Sequence, residues 1–462
     1  MASALLRLSD AFGFLFFAIF FAMATSAAAS AAPTIYAPAD GGNVLGRDLV
    51  VDVRGCAKTQ GDLVAYLDDV RVLAYWVPGR YRGQWLAKLE LGRDGVHVLR
   101  FTGRCRATAI FSSSRTGTLE IASRLAAHYL AAHPARKMAW DWGPAVFLYG
   151  LYRLDPYSPD VRAFQRHWAR KGVSAPDKND AVPAALTALA LARDQGDQLG
   201  LESARTVAHY VLTEPRNKLG AIDHLGHNFF HFLYGDSIWV DSLMMIGVFG
   251  AQWASYTHDA ATLDFAARQP GIYASVLQDP ATGLFRHAWK ITKGVAIPKS
   301  PAFWLRGNGW VITSIAEILD ELPPTHPRRE ELLGIFRRTV AGLLACQQPN
   351  GLWDSLANLP GATYGETSGT SLSAYAIAKG VHRGWLPAEN MARAKLAFAG
   401  VTARLLPKRS GSGALLYSMP RISWSTNPMP KFGYTLIPAV SDMSYGVGAY
   451  LLAAAELQNE EF

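Results

Sequence analysis

Cysteine is scarce, with three residues in a chain of 462. Their spacings match no zinc or redox motif, which argues against thiolate metal centres and dithiol chemistry. Cys56 and Cys105 both lie in a strand-rich stretch and can pair, whereas Cys346 falls in an apolar helical run as a small buried side chain. Charge is sparse too, at 18% of residues, and the net +8 is scattered with no run of five basic side chains. That pattern carries no nucleic-acid footprint. Also missing is an apolar run of about 20 residues, the length that spans a membrane comfortably. The run at 11–24 is shorter and Phe-rich, and Ala, Ser and Thr follow it as far as Ala32. It reads as a signal peptide over 1–32, which implies a secreted or periplasmic protein with no stable membrane association after cleavage. Its basic flank is only Arg7 against Asp10, so an uncleaved anchor is the alternative.

What is present divides into two parts. Between 33 and 117, short runs of β-formers at 49–53, 63–67, 70–76, 85–91, 96–101 and 107–111 are punctuated by Gly41-Gly42, Asp68-Asp69, Pro78-Gly79 and Asp94-Gly95. Closely spaced short strands predict a small antiparallel, Ig-like β-sandwich. It serves as a structural cap or as a binding module; its fold alone does not decide. From 118 to 462 the periodicity is helical. Twelve apolar runs lie near 118–134, 143–153, 159–171, 181–195, 199–212, 237–257, 260–277, 308–322, 326–346, 367–384, 387–405 and 442–459. Six helical hairpins closed into a ring, an all-α (α/α)6 barrel, account for that number. In such a ring the chemistry sits in the connecting loops.

The centre of the helical part is the stretch 228–256. Asp236 follows a Tyr-Gly turn and suits an N-cap, and 237–256 reads as one helix, apolar nearly all round. Asp241 lies one turn in, among Trp239, Val240, Leu243 and Met244, with no Lys or Arg within a turn. A carboxylate there is held neutral, hydrogen-bonded by a distant partner, or kept for chemistry. Other loops carry further candidates. Trp140 and Trp142 flank Asp141 as a sugar-stacking wall or as inter-helix packing. Asp180 opens the fourth run as an N-cap or an acid. His224, His227 and His231 have a metal-like spacing but no Cys or Glu beside them, so no metal is assigned. Arg306 stands between Trp304 and Trp310 in a loop with Asn308 and two glycines, suited either to a carboxylate or to tying the loop to helix carbonyls. Glu366 begins an N-cap cluster and is the other candidate for a second acid, with capping the simpler reading.

Read in series, these pieces resemble the unsaturated glucuronyl and rhamnogalacturonyl hydrolases, glycoside hydrolase families 88 and 105. The resemblance rests on I-W-V-D-S-L-M-M at 238–245, G-L-F-R-H-A-W at 283–289, W-L-R-G-N-G-W at 304–310, G-L-W-D at 351–354, E-T-S-G-T-S-L-S-A-Y-A-I-A-K-G at 366–380 and Y-G-V-G-A-Y-L-L-A-A-A-E at 445–456. It covers about 118–462 and implies an (α/α)6 barrel that needs no cofactor. It implies a reaction on oligosaccharides left by polysaccharide lyases, whose terminal uronic acid carries a C4–C5 double bond. An acid protonates C4, water adds at C5, and the hemiketal opens with loss of the glycosidic bond. The acid maps to Asp241, and a low-polarity setting would raise its pKa. Asp180 becomes the second active-site acid, with Trp140, Trp142, His227, His287, Trp304, Arg306, Asn308 and Trp310 as substrate-binding residues. Two departures stand out: Lys178-Asn179-Asp180 replaces a double-Asp stretch, and the proline-rich segment 406–441 replaces a Gly-Thr-Gly pattern. A connection that long is expected to shape a site. The alternatives are a conventional two-carboxylate glycosidase or lyase on the same barrel, and a non-catalytic sugar-binding protein.

Overall fold

A computed structural model describes residues 32–462 apart from Ala57, Lys58, Arg104 and Thr116. The leader expected at 1–32 lies, but for its last residue, outside the described residues.

Nine strands occupy the N-terminal part: β1 (Thr34–Ala37), β2 (Asn43–Leu45), β3 (Asp48–Arg54), β4 (Val64–Leu67), β5 (Val70–Arg71), β6 (Val77–Pro78), β7 (Trp85–Glu90), β8 (Gly95–Thr102) and β9 (Ala107–Ser114). They form one sheet in the order β1-β3-β7-β6 and another in the order β2-β9-β8-β4-β5. Alternation along the strands turns Leu49, Val51 and Val53 from one sheet, and Leu99, Phe101 and Phe111 from the other, into a shared apolar core. Pairing is antiparallel except for β2 with β9, which are parallel. The single strand expected at 70–76 is instead a crossing between the sheets, with Leu73 and Tyr75 exposed and Trp76 buried in the core. Cys56 and Cys105 are disulfide-bonded. Asp52 of β3, fully buried, reaches Arg404 of the helical part at 3.1 Å. Tyr81 donates to Asp354 at 2.7 Å across the same boundary.

Twelve long helices follow among the described residues: α1 (Thr118–Ala132), α2 (Trp142–Leu154), α3 (Pro159–Lys171), α4 (Ala184–Gln195), α5 (Gln198–Thr213), α6 (Phe249–Thr257), α7 (Ala260–Leu277), α8 (Leu305–Glu321), α9 (Arg329–Cys346), α10 (Thr367–His382), α11 (Asn390–Thr402) and α12 (Ser444–Glu456). Each answers to one expected run. They differ in burial in the way the periodicity requires. α8 is buried from Leu305 to Leu319 and α10 from Thr367 to Gly380, whereas α3 and α5 bury one face. α2 packs on α4, α4 on α6, the segment before α6 on α8, α8 on α10, α10 on α12, and α12 on α2. Small residues permit close approach: a Cβ on Gly448 would collide with the backbone of Val146 and Phe147.

Neighbours in that series run parallel. Gly369 of α10 meets Leu305 at the start of α8, while Lys379 meets Glu317 near its end. Asn179, just before α4, bonds Ser242, just before α6, while Gln252 in α6 bonds Tyr149 in α2. The amino ends of these helices therefore share one end of the molecule.

The helix expected over 237–256 is interrupted. Ser237–Trp239 is a strand, β10, pairing antiparallel with β11 (Ala288–Lys290), which pairs in turn with β12 (Val295–Ile297). A π-helical turn, Leu243–Val248, then leads into α6. Ile238, Trp239 and Val240 suit a pleated edge as well as a buried helix, and the β11 partner decides between them. Asp236 consequently caps no helix; its carboxylate faces the His231 ring at 3.0 Å.

Candidate active site

Asp241 stands where β10 ends and the π-helical turn begins, a break of the kind often found at functional sites. The Val240 N–H donates to the His287 carbonyl at 2.9 Å, which sets Asp241 beside His287. Nε2 of His287 lies 3.0 Å from Oδ2 of Asp241. The imidazole is fully buried, while the carboxylate is 14% exposed at the shared amino end of that helix series. His287 also packs on Trp304, with ring centres 4.5 Å apart, and its Nδ1 is 2.8 Å from the Tyr434 hydroxyl.

A second histidine faces the same carboxylate. His224 stacks on Trp239 at 4.0 Å, bonds Ser242 Oγ at 2.8 Å, and lies 3.4 Å from Asp180. Burial pushes the pKa of His224 down against the fields of Asp180 and Asp241. Asn179 holds this corner by donating to Ser242 and accepting from Tyr210, both at 2.9 Å. Burial raises the pKa of Asp241, but His287, His224 and Arg306 outweigh it and hold the carboxyl below its ordinary range. This corrects the expectation of a raised pKa. These partners come from segments remote in sequence, so the lack of Lys or Arg within a turn was no guide to the local field.

Arg306 is buried at the first turn of α8. Its guanidinium donates to the carbonyls of Ser423 and Trp424, the latter at 3.0 Å, and to Thr426 Oγ1 at 3.4 Å. It lies between the rings of Trp304 and Tyr445, 4.6 Å from each centre. Trp142 stacks on Tyr445 at 4.6 Å, so one continuous stack runs Trp142, Tyr445, Arg306, Trp304, His287. The proline-rich segment 406–441 thus does reach into the site, holding Arg306 through 423–426 and His287 through Tyr434.

Not every expected site residue joins this group. Trp140 sits behind the 179–181 turn, donating to the Ala181 carbonyl at 2.9 Å and packing between Phe164 and Trp168. Asn308 is buried and clamps the backbone of Phe285 and Trp304. Trp310 is fully buried in the core. His227 is 62% exposed and pairs with Glu214 at 2.8 Å. Glu366 caps α10, accepting from Ser368 and Gly369. The three spaced histidines are dispersed; Asp223, His231 and Asp236 instead bring ligand atoms within 4.8 Å of one another, the one such set among the described residues, and it shares no residue with the Asp241 centre. Sequence reasoning missed Tyr434 and the 423–426 carbonyls, and treated Tyr445 only as part of a motif.

A solvent-touched carboxylate, two imidazoles and a row of aromatic faces form a site suited to proton transfer on a sugar. Comparisons with known proteins identify the family. Over 229 residues the chain is 29% identical to the unsaturated rhamnogalacturonyl hydrolase YesR of Bacillus subtilis, covering 48% of this chain and 65% of that protein, a little under two thirds of its length. It is 27% identical over 329 residues to the unsaturated 3S-rhamnoglycuronyl hydrolase of an Alteromonas species, covering 68% and 77%. A family 105 glycoside hydrolase of C. acetobutylicum shares the fold with a TM-score of 0.64 at 23% identity, over 72% of this chain and 98% of that one. The family described as Glycosyl Hydrolase Family 88 matches residues 121–460, so the chain belongs to that family of enzymes.

Proposed function

We propose that this enzyme removes a 4,5-unsaturated uronic acid from the non-reducing end of lyase-generated oligosaccharides, with Asp241 as the general acid and base. The observation that carries the reading is the Asp241 carboxylate, partly open to solvent and bonded to one imidazole. The helical part is read as an (α/α)6 barrel, supported by the order in which its parallel inner helices pack. Helix amino ends, together with Arg306, make this end of the molecule favourable to an anionic sugar. The vinyl ether takes a proton from Asp241 at C4. Water adds at C5 and returns its proton to the carboxylate, and the hemiketal opens with release of the linked sugar. This chemistry needs no Lewis acid. Asp180, beside His224, is the second acid of the site. Export to the periplasm or the medium is supported by the apolar run at 11–24 and by the Cys56–Cys105 bond.

In the free protein Asp241 is ionised, so the proton must arrive with substrate. A bound uronate offsets the cationic field that depresses the carboxyl, raising its pKa. Binding of a saturated uronate disaccharide should therefore be accompanied by proton uptake, which Asp241→Asn should reduce. Calorimetry in buffers of different ionisation enthalpy measures it, and equal uptake by both proteins removes Asp241 as donor. Loss of vinyl-ether absorbance on lyase-generated disaccharides from pectin, glycosaminoglycans and algal uronates tests the activity itself. Turnover of saturated but not unsaturated substrates would instead favour a conventional glycosidase.

A further inference from the structure

Resting on that reading, we infer that Tyr434 is a positioning residue that fixes the proton of His287 on Nε2, so that the imidazole donates to Asp241. The geometry leaves little freedom. Tyr434 is buried beneath the site and its oxygen already accepts the Met429 N–H at 3.4 Å. Burial holds its phenol un-ionised well above neutrality. Its one proton therefore points to His287 Nδ1, 2.8 Å away. An Nδ1 that accepts carries no proton, and a neutral ring must then carry it on Nε2, 3.0 Å from the Asp241 carboxylate. The groups facing His287 are Asp241 ahead of α6, Tyr434 in segment 406–441, the rings of Trp239 and Trp304, His224 across Trp239, and Arg306 behind Trp304.

The opposite tautomer would turn a bare Nε2 lone pair toward the carboxylate. The resting ion would then lose its hydrogen bond, and a proton on Asp241 would be drawn to the ring rather than to substrate. Tyr434 thus makes the proline-rich segment part of the proton-transfer apparatus without touching the sugar.

Tyr434→Phe keeps the ring and removes only the hydroxyl. In protein carrying 15N-labelled histidine, with His287→Gln used for assignment, the wild-type ring should show a protonated Nε2 and a bare Nδ1 at pH 8. The Phe variant should show exchange between the two tautomers. On unsaturated disaccharide its kcat should fall about tenfold with KM little changed, the size typical of losing a partner that orients a functional histidine. An unchanged Nε2–H signal in Tyr434→Phe overturns the inference, even if activity falls. A mixed tautomer in wild type overturns it as well. The spectra require no turnover, so they decide the point even if the enzyme acts on some other sugar.

Discussion

The two ends of the packed helix series each hold a carboxylate, and they treat it in opposite ways. At the amino ends Asp241 has His287 as its one hydrogen-bond partner among the described residues and is 14% exposed. At the carboxyl ends Glu317, 3% exposed, accepts from Lys379 at 2.6 Å, from Tyr149 at 2.8 Å, from Gln252 at 3.5 Å and from Tyr375, with Arg153 at 3.6 Å. Lys379 also meets Asp320 at 2.6 Å, and Arg383 meets it at 2.7 Å. The helix dipole explains the asymmetry of charge, because carboxyl ends attract Lys and Arg while amino ends favour an incoming anion. A cavity of about 660 Å³ opens at the Glu317 end, yet its acids and bases already answer one another. Burial raises both carboxyls, and nearby cations more than reverse it in both. A shifted pKa therefore does not separate chemistry from structure here. What distinguishes the Asp241 carboxylate is its unfilled hydrogen-bonding capacity, and the role proposed for it rests on that.

That contrast breaks if the two acids respond alike to neutralisation. Asp241→Asn should lower kcat by ~10²–10⁴-fold, the range that a general acid–base contributes, while the denaturant midpoint falls less than in Glu317→Gln because the amide oxygen can still accept from His287. Activity above a tenth of wild type would remove Asp241 from the mechanism. Glu317→Gln should do the reverse. It leaves Lys379 and Arg153 without their shared carboxylate, and breaking a buried pair costs about 3–5 kcal/mol. Activity per folded molecule should hold. The pH dependence sharpens the test. A Glu whose folded pKa is depressed contributes stability above its unfolded value and loses it as pH falls through the folded one. The gap between wild type and Glu317→Gln should thus be constant from neutrality down to about pH 5 and close only in stronger acid. Urea titrations across pH measure it, and a gap that closes near neutrality would show that Glu317 is not the group responsible.

Much of this was legible in the sequence. Apolar periodicity located all twelve long helices, because each must bury a stripe or be buried all round. Gly, Asp and Pro punctuation located most of the strands. The family resemblance rested on motifs several of which begin at the Asp241 end, although those of α10 and α12 run the length of their helices to the other. What escaped was decided by partners far away in the chain. Residues 237–239 became a strand because Ala288–Lys290 lies alongside. Asp241 lost its expected high pKa because His287, His224 and Arg306 converge on it from separate segments. Asn308 and Trp310 share a motif with Arg306, but one turn of helix carries them to the backbone of the next loop and into the core. Segment 406–441 was recognisable as a loop long enough to shape a site, whereas nothing local marked Tyr434 as the residue that does it.

The smallest expected effect concerns Arg306, which is at the active end but is bonded like a structural residue. Its donors go to Ser423, Trp424 and Thr426, and its flat face lies between Trp304 and Tyr445. Those bonds use the two Nη groups, whereas Nε has no hydrogen-bond partner among the described residues, so the two-pronged carboxylate clamp suggested by the sequence would have to displace at least one loop carbonyl. Arg306→Lys keeps the charge that favours a uronate but cannot span two carbonyls or stack as a plane. Hydrogen bonds from a charged donor contribute about 1.5–3 kcal/mol each, and partial replacement by the ammonium should leave a stability loss near the lower figure. Loosening 423–426 should also disturb the Trp304 face against which His287 packs, lowering kcat/KM by about tenfold through misplacement of the reacting groups. Because the loss arises from the loop, it should be the same for a uronate substrate and for its methyl ester. A loss confined to the free acid, with an unchanged denaturant midpoint, would return Arg306 to the role of carboxylate clamp and make the amino end a binding site built on side-chain charge as well as on helix ends.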